Sequence, residues 1–170
     1  MKAFPEALAL EALGKRHRRR HFRSGQVRVD QWLSERALQS QEKHLTTTKV
    51  LASNEGDIAG FYSLATGQID FSELPADIAK KLPRRQLPAA FLAWLGVAEE
   101  RQGGGLGTLL FARAIRDCYD GGRTFAFVAV VIDCIDENAK RWYQRWDFRE
   151  LPGQSNRLFI EWARLDAMMR

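Results

Sequence analysis

Between Gln102 and Thr108 the chain places Gly103, Gly104, Gly105 and Gly107 in one short turn. Glycines lack a Cβ, so successive backbone N–H groups can converge on one anion, and a helix opening behind them adds the partial positive charge of amides without intrahelical partners. A pyrophosphate suits such a turn. Two familiar phosphate-binding patterns do not fit: a dinucleotide fingerprint wants glycine where Leu110 stands, and a P-loop wants Gly-Lys-Ser or Gly-Lys-Thr. What is left is Gln102-x-x-Gly105-x-Gly107, a short polar turn beyond the apolar Leu95-Gly96-Val97. The plainer alternative is a flexible surface loop that starts a helix with glycine.

The other reactive side chains narrow the chemistry by what they leave out. No Ser-His-Asp or Cys-His arrangement is visible, and His17, His21 and His44 all lie in the N-terminal quarter, where solvated or phosphate-contacting side chains are expected. Direct transfer without a covalent enzyme intermediate is therefore the simpler mechanism. Cys118 and Cys134 belong to no CxxC or Cys/His cluster, so they read as buried thiols in a reducing compartment, with no metal site. The net charge of +5 is concentrated in two runs, Lys15, Arg16 and Arg18–Arg20, then Lys80, Lys81, Arg84 and Arg85. Such runs either contact polyanion phosphates or are solvated faces.

These residues need elements to position them. A chain of 170 residues with 45% hydrophobic content can bury a full core, and we expect one domain over residues 1–170. The longest apolar runs, Phe125–Ile132 and Leu87–Val97, fall short of the roughly 18 to 20 residues of a membrane span, and the N-terminus shows no export signal, so a cytoplasmic protein is expected. The spacing of Val29, Trp32, Leu33 and Ala37 predicts a helix over 27–43. A hairpin follows, with strands over 46–53 and 58–66 about Asn54-Glu55-Gly56-Asp57. Residues 73–88, with Pro75, Pro83 and Pro88, form an excursion carrying a short helix. Beyond it come a central strand over 89–97, a helix over 105–119, a strand over 124–133, a helix over 137–146 capped by Asp136, and a last strand over 158–163.

Placed behind a Leu-Gly-Val strand, the turn from Gln102 to Gly107 resembles the coenzyme A signature of GNAT acetyltransferases. Further stretches follow in order: Phe22-Arg23-Ser24-Gly25 with Asp30-Gln31-Trp32-Leu33, Leu87-Pro88-Ala89, Asn138 through Tyr143, and Asp147-Phe148. Together they resemble the tRNA-acetylating toxins of the TacT and AtaT type, and the likeness covers nearly the whole chain. Three departures stand out: Cys-Gly is common where Ser24-Gly25 stands, a basic residue is frequent at Trp94, and Gly-Phe usually occupies Asp147-Phe148.

The resemblance implies an α+β (mixed α/β) GNAT fold: a central, mostly antiparallel twisted sheet of about six to seven strands flanked by helices, with splayed central strands holding acetyl-CoA. Cofactor contacts would come from Leu95, Gly96, Val97, Gln102, Gly103, Gly104, Gly105, Leu106, Gly107, Thr108 and Asn138. The backbone amide of Val97 or Ala98 would polarise the thioester carbonyl, and Tyr143 would be the catalytic acid. A phenol near pKa 10 suits that task, being matched to a thiolate leaving group. Ala139, Trp142, Tyr143 and Trp146 also form an apolar helical stripe, so the tyrosine could instead be core. Glu99, Glu100, Asp133 and Asp136 are candidate bases, though carboxylates beside turns are mostly caps or surface. The implied substrate is the α-amine of aminoacyl-tRNA, contacted by Arg18, Arg19, Arg20, Lys81, Arg84 and Arg85. A ribbon-helix-helix antitoxin is the implied partner, and a homodimer is allowed. The competing readings are acetylation of a protein N-terminus or small amine, and an inactive binding module of the same fold.

Overall fold

Runs rich in Val, Ile, Leu and Phe become the inner strands, and the polar or glycine-rich stretches between them become turns. The computed structural model describes residues 3–170. In chain order the elements are β1 (Ala9–Ala12), α1 (Val27–Gln31), a π-helical turn (Trp32–Arg36), α2 (Ala37–Glu42), β2 (Thr47–Ala52) and β3 (Ile58–Asp70). There follow α3 (Ala76–Ala79), β4 (Gln86–Val97), α4 (Leu106–Gly122), β5 (Ala129–Asp133), α5 (Glu137–Gln144), β6 (Arg149–Leu151), β7 (Gln154–Glu161) and α6 (Trp162–Met169). The strands form one seven-stranded sheet ordered β1-β2-β3-β4-β5-β7-β6. β4 and β5 pair in parallel, while β1–β2, β2–β3, β5–β7 and β6–β7 are antiparallel. This is the mixed, mostly antiparallel sheet the sequence implied. No helix among the described residues is long and apolar enough to cross a membrane.

The chain divides into two units, the residues up to Ala65 with Ala93–Ile115, and Thr66–Leu92 with Arg116–Arg170. In the first, the expected hairpin pairs Thr48 with Ser63 and Val50 with Phe61 across a turn in which Ser53 N–H donates to the Asp57 carbonyl at 2.9 Å. Its core holds Leu33, Ala37, Val50, Leu51, Phe61, Leu110 and Ala114, all wholly buried. The predicted helix over 27–43 is present but takes a π turn at its middle, and the Ser34 carbonyl in that turn accepts from the Arg19 guanidinium at 3.1 Å. β1 was not foreseen. It carries one bulky apolar residue, too little for a pattern, and exists because it pairs with Lys49–Ala52 of β2. His17 is neither solvated nor phosphate-contacting. It is 5% exposed, its Nδ1 accepts from Gly14 N–H at 2.9 Å, and its Nε2 therefore carries the proton and donates to Glu11 at 2.6 Å.

The second unit packs Ile69, Leu87, Ala89, Val131, Leu151 and Phe159 into one core. Here the strand expected over 124–133 is short. Thr124 and Phe125 N–H groups bond back to the Gly121 carbonyl, which extends the end of α4 into a turn and leaves Phe125 80% exposed. α4 itself runs through Gly121 and Gly122 rather than stopping before them, and a Cβ on Gly122 would lie 2.4 Å from the Trp162 ring. The expected strand over 158–163 is instead β7, which begins earlier and ends at Glu161, where α6 takes over. β6 is a three-residue strand held by β7 and gave no periodic signal.

Candidate functional site

The glycine turn belongs to the first unit, between the end of β4 and the start of α4. Two glycines of the flanking strands serve packing. A Cβ on Gly96 would stand 2.8 Å from Val29 Cγ1 and 3.0 Å from Phe61, and one on Gly60 would stand 2.5 Å from Leu110 Cδ1. Gly96 is thus a close-approach residue on its Cβ side. The Ala98 N–H donates to the Ala59 carbonyl at 2.9 Å. Of the two amides expected at the reacting carbonyl, Val97 is therefore the candidate.

Gln102 turns out to be a tether. Its Nε2 donates to the Ser24 carbonyl at 2.7 Å and to the Val97 carbonyl at 2.9 Å, so both amide hydrogens are committed to the backbone. Glu99 N–H donates to the Arg23 carbonyl at 2.8 Å, and Asp30 accepts from the Ser24 N–H at 3.0 Å and its hydroxyl at 2.7 Å. These bonds tie Arg23, Ser24 and Asp30 to the glycine turn. Beyond the tether, Gly103 and Gly105 take φ of +86° and +85°, a left-handed backbone that favours glycine, and a Cβ on either would meet nothing within 4 Å. Leu109 N–H bonds the Gly105 carbonyl, so Gly105 caps α4 and the amides of Leu106, Gly107 and Thr108 have no intrahelical acceptor. An open, left-handed glycine turn on a helix N-terminus fits a diphosphate. Leu106 is buried, whereas Leu95, Gly107 and Thr108 are half-buried and Gly104 is exposed.

Tyr143 lies on α5 in the second unit. It is 9% exposed, with its ring edge-on to Trp142 at 5.1 Å. Burial first, and then the neighbouring Cys134 thiol, push its pKa above the ordinary tyrosine value. The phenol thus keeps its proton while also contributing to the apolar stripe. The Cys134 thiol is itself pushed up to about 11 by burial. Asn138 is exposed and its Oδ1 accepts from Arg141. Two of the candidate bases are engaged elsewhere, Asp136 capping α5 through the Ala139 N–H at 2.8 Å and Asp133 accepting from Arg157 at 2.6 Å, while Glu99 and Glu100 are exposed. Where the family usually has glycine, Asp147 takes a φ of +73° and pairs with Arg164. Short polar side chains tolerate that conformation, which accounts for the departure.

The basic runs separate into different fates. Arg18, Arg20, Lys81, Arg84 and Arg85 are exposed, and Arg18 faces Asp57 at 3.5 Å. Arg19 is half-buried and held by the Ser34 carbonyl, so its charge serves the fold. A cavity of about 410 Å³ in the first unit is lined by Arg18, Arg23 and Arg101 but also by Glu55, Asp57 and Glu100, which balance them. Among the described residues no group of His, Cys, Asp and Glu could hold a metal.

A mixed sheet with a diphosphate-type turn between its parallel strand and a helix is the arrangement that the resemblance to acetyl-CoA-binding transferases implied. Residues 10–148 match the model of the acetyltransferase (GNAT) family, and the chain belongs to that family. It is an N-acetyltransferase that uses acetyl-CoA. It is 28% identical over 131 residues to the tRNA-acetylating toxin of Mycobacterium tuberculosis (strain ATCC 25618 / H37Rv), covering 77% of this chain and 78% of the relative. Its fold is similar to that of a tyrosine-to-phenylalanine variant of KacT, with a TM-score of 0.89 and 21% identity over 96% of this chain and 99% of that one. The fold is also similar to that of AtaT complexed with acetyl-methionyl-tRNAfMet, with a TM-score of 0.87 and the same identity and coverage.

Proposed function

We propose that residues 1–170 act as one acetyltransferase domain, a cytoplasmic toxin that acetylates the α-amine of aminoacyl-tRNA and so removes the nucleophile needed for peptide-bond synthesis. The observation that carries this reading is the 28% identity, across 77% of the chain, to a tRNA-acetylating toxin. Acetyl-CoA supplies the acetyl group as a thioester. The amides from Gly103 to Thr108 hold its diphosphate, Gln102 keeps that turn in place, and the Val97 N–H donates to the thioester carbonyl oxygen as charge develops there. The amine forms the new N–C bond, the C–S bond breaks, Tyr143 gives its proton to the departing sulfur, the amine loses its own proton to solvent, and the Tyr143 phenolate takes one back from solvent. The phenol's raised pKa does not spoil the match, because surroundings that disfavour a phenolate disfavour a thiolate too. An aminoacyl ester carries an amine well below the lysine value of about 10.4, so a neutral fraction exists without a strong base. A ribbon-helix-helix antitoxin is the proposed partner.

The test is transfer to charged tRNA at several salt concentrations, in wild type and in two charge-reversed variants, Arg18→Glu with Arg20→Glu and Arg84→Glu with Arg85→Glu. We expect transfer to weaken, with the salt slope reduced by roughly one unit for each phosphate that is no longer neutralised. If charged tRNA is no substrate at any salt, acetylation of a protein N-terminus or small amine replaces this reading.

A further inference from the structure

Trp32 and Trp94 stack in the first unit with ring centroids 5.4 Å apart and planes 11° from parallel. Both are only partly buried, so part of the paired ring surface stays accessible. The stack is also held in one orientation. Trp32 Nε1 donates to Ser63 Oγ at 3.1 Å, and Ser63 shares a 2.7 Å hydrogen bond with Thr48, both hydroxyls being buried in the hairpin. Trp94 sits two residues before Gly96 on β4, hence on the same face, the one against which Val29 and Phe22 pack. The ladder from β4 to β5 ends at the pair Leu92 and Ile132, so Trp94 belongs to the part of β4 beyond the last rung. Val97, whose amide is the candidate for the reacting carbonyl, lies three residues further along, about 10 Å of extended strand.

We propose that the Trp32–Trp94 stack is a platform for the terminal nucleobase of the charged acceptor end, which makes Trp94 a residue that favours an aminoacyl nucleotide over a bare aminoacyl ester. This rests on the aminoacyl-tRNA reading above. A rigid pair of parallel rings presents a flat π-face, complementary to a planar base and poorly shaped for an aliphatic side chain, which fills a concave pocket instead. The separation along β4 is comparable to the span from an aminoacyl carbonyl across one ribose to its base. Because every tRNA ends in the same single-stranded bases, the platform adds affinity whatever amino acid is attached.

The experiment compares kcat/KM for charged tRNA with kcat/KM for the methyl ester of the same amino acid, in wild type, Trp94→Leu and Trp94→Phe. Leucine keeps apolar volume without a π-face and phenylalanine keeps a ring, so the pair separates packing from stacking. The ratio of the two substrates is expected to fall by about fivefold or more in Trp94→Leu, the lower end of what one base–aromatic stack contributes, and to be largely kept in Trp94→Phe. An unchanged ratio in Trp94→Leu, or an equal fall in both variants, overturns the platform. A wild type that acetylates the ester but not charged tRNA overturns the aminoacyl-tRNA reading first, which distinguishes the two failures.

Discussion

Tyr143 sits where water scarcely reaches, and the cost of leaving a phenolate there, with the Cys134 thiol beside it, keeps the hydroxyl protonated beyond the usual tyrosine range. A group that must donate a proton is active only below its pKa, so loss of activity from Tyr143 ionisation should not begin before about pH 10. Tyr143→Phe removes the proton and leaves the ring in its stripe. Steady-state kinetics should then show turnover lower by about 10²- to 10⁴-fold, the range for losing a general acid, with acetyl-CoA affinity unchanged. Turnover equal to wild type would return Tyr143 to the core. Gln102 carries a different lesson: a motif residue need not touch the ligand, because its amide hydrogens are already given to Ser24 and Val97.

At the scale of elements, the joint between β4 and α4 determines what can bind. The turn depends on two left-handed glycines and on the first amides of α4, and a carboxylate placed there would take those amides for itself and repel a diphosphate. Gly105→Asp and Gly105→Asn put side chains of the same size at a φ of +85°, which short polar residues tolerate better than others, and the two differ in charge. Acetyl-CoA should raise the thermal midpoint of the wild type as the logarithm of its concentration. Scanning calorimetry should find that shift abolished in Gly105→Asp and partly kept in Gly105→Asn. A full shift in both would remove the turn from the cofactor site. Pairs of elements also explain the missed boundaries, since Gly122 reads as a helix stop until Trp162 and Phe127 are seen to require a residue without a side chain there.

For the whole molecule, three buried acids set the alkaline limit. Burial raises Cys118 to about 12 and Cys134 to about 11, and raises Tyr143 as well. A raised pKa means that the unfolded chain releases its proton first. The stability these groups contribute is complete below about pH 9 and falls as pH rises towards 12, with a slope of about 1.4 kcal/mol per pH unit for each group titrating only in the unfolded state. Denaturant unfolding between pH 8 and 11 should show that decline, and Cys118→Ala should make it shallower. A flat profile would mean the thiols are not buried in solution.

Composition and spacing alone determined the helix expected over 27–43, the hairpin about Gly56, the cap at Asp136 and the turn from Gln102 to Gly107, because each is a local pattern whose partners lie within a few residues. Only the tertiary structure decided the rest. β1 and β6 exist through their neighbours' ladders, His17 is buried by a bond to Glu11, and Arg19 spends its charge on a carbonyl opened by a π turn. It also committed the Ala98 amide to the Ala59 carbonyl, and it brought Trp32 onto Trp94 from 62 positions away. A hydrogen bond or stack between distant residues has no period, so it enters the chain's description only once the chain has folded.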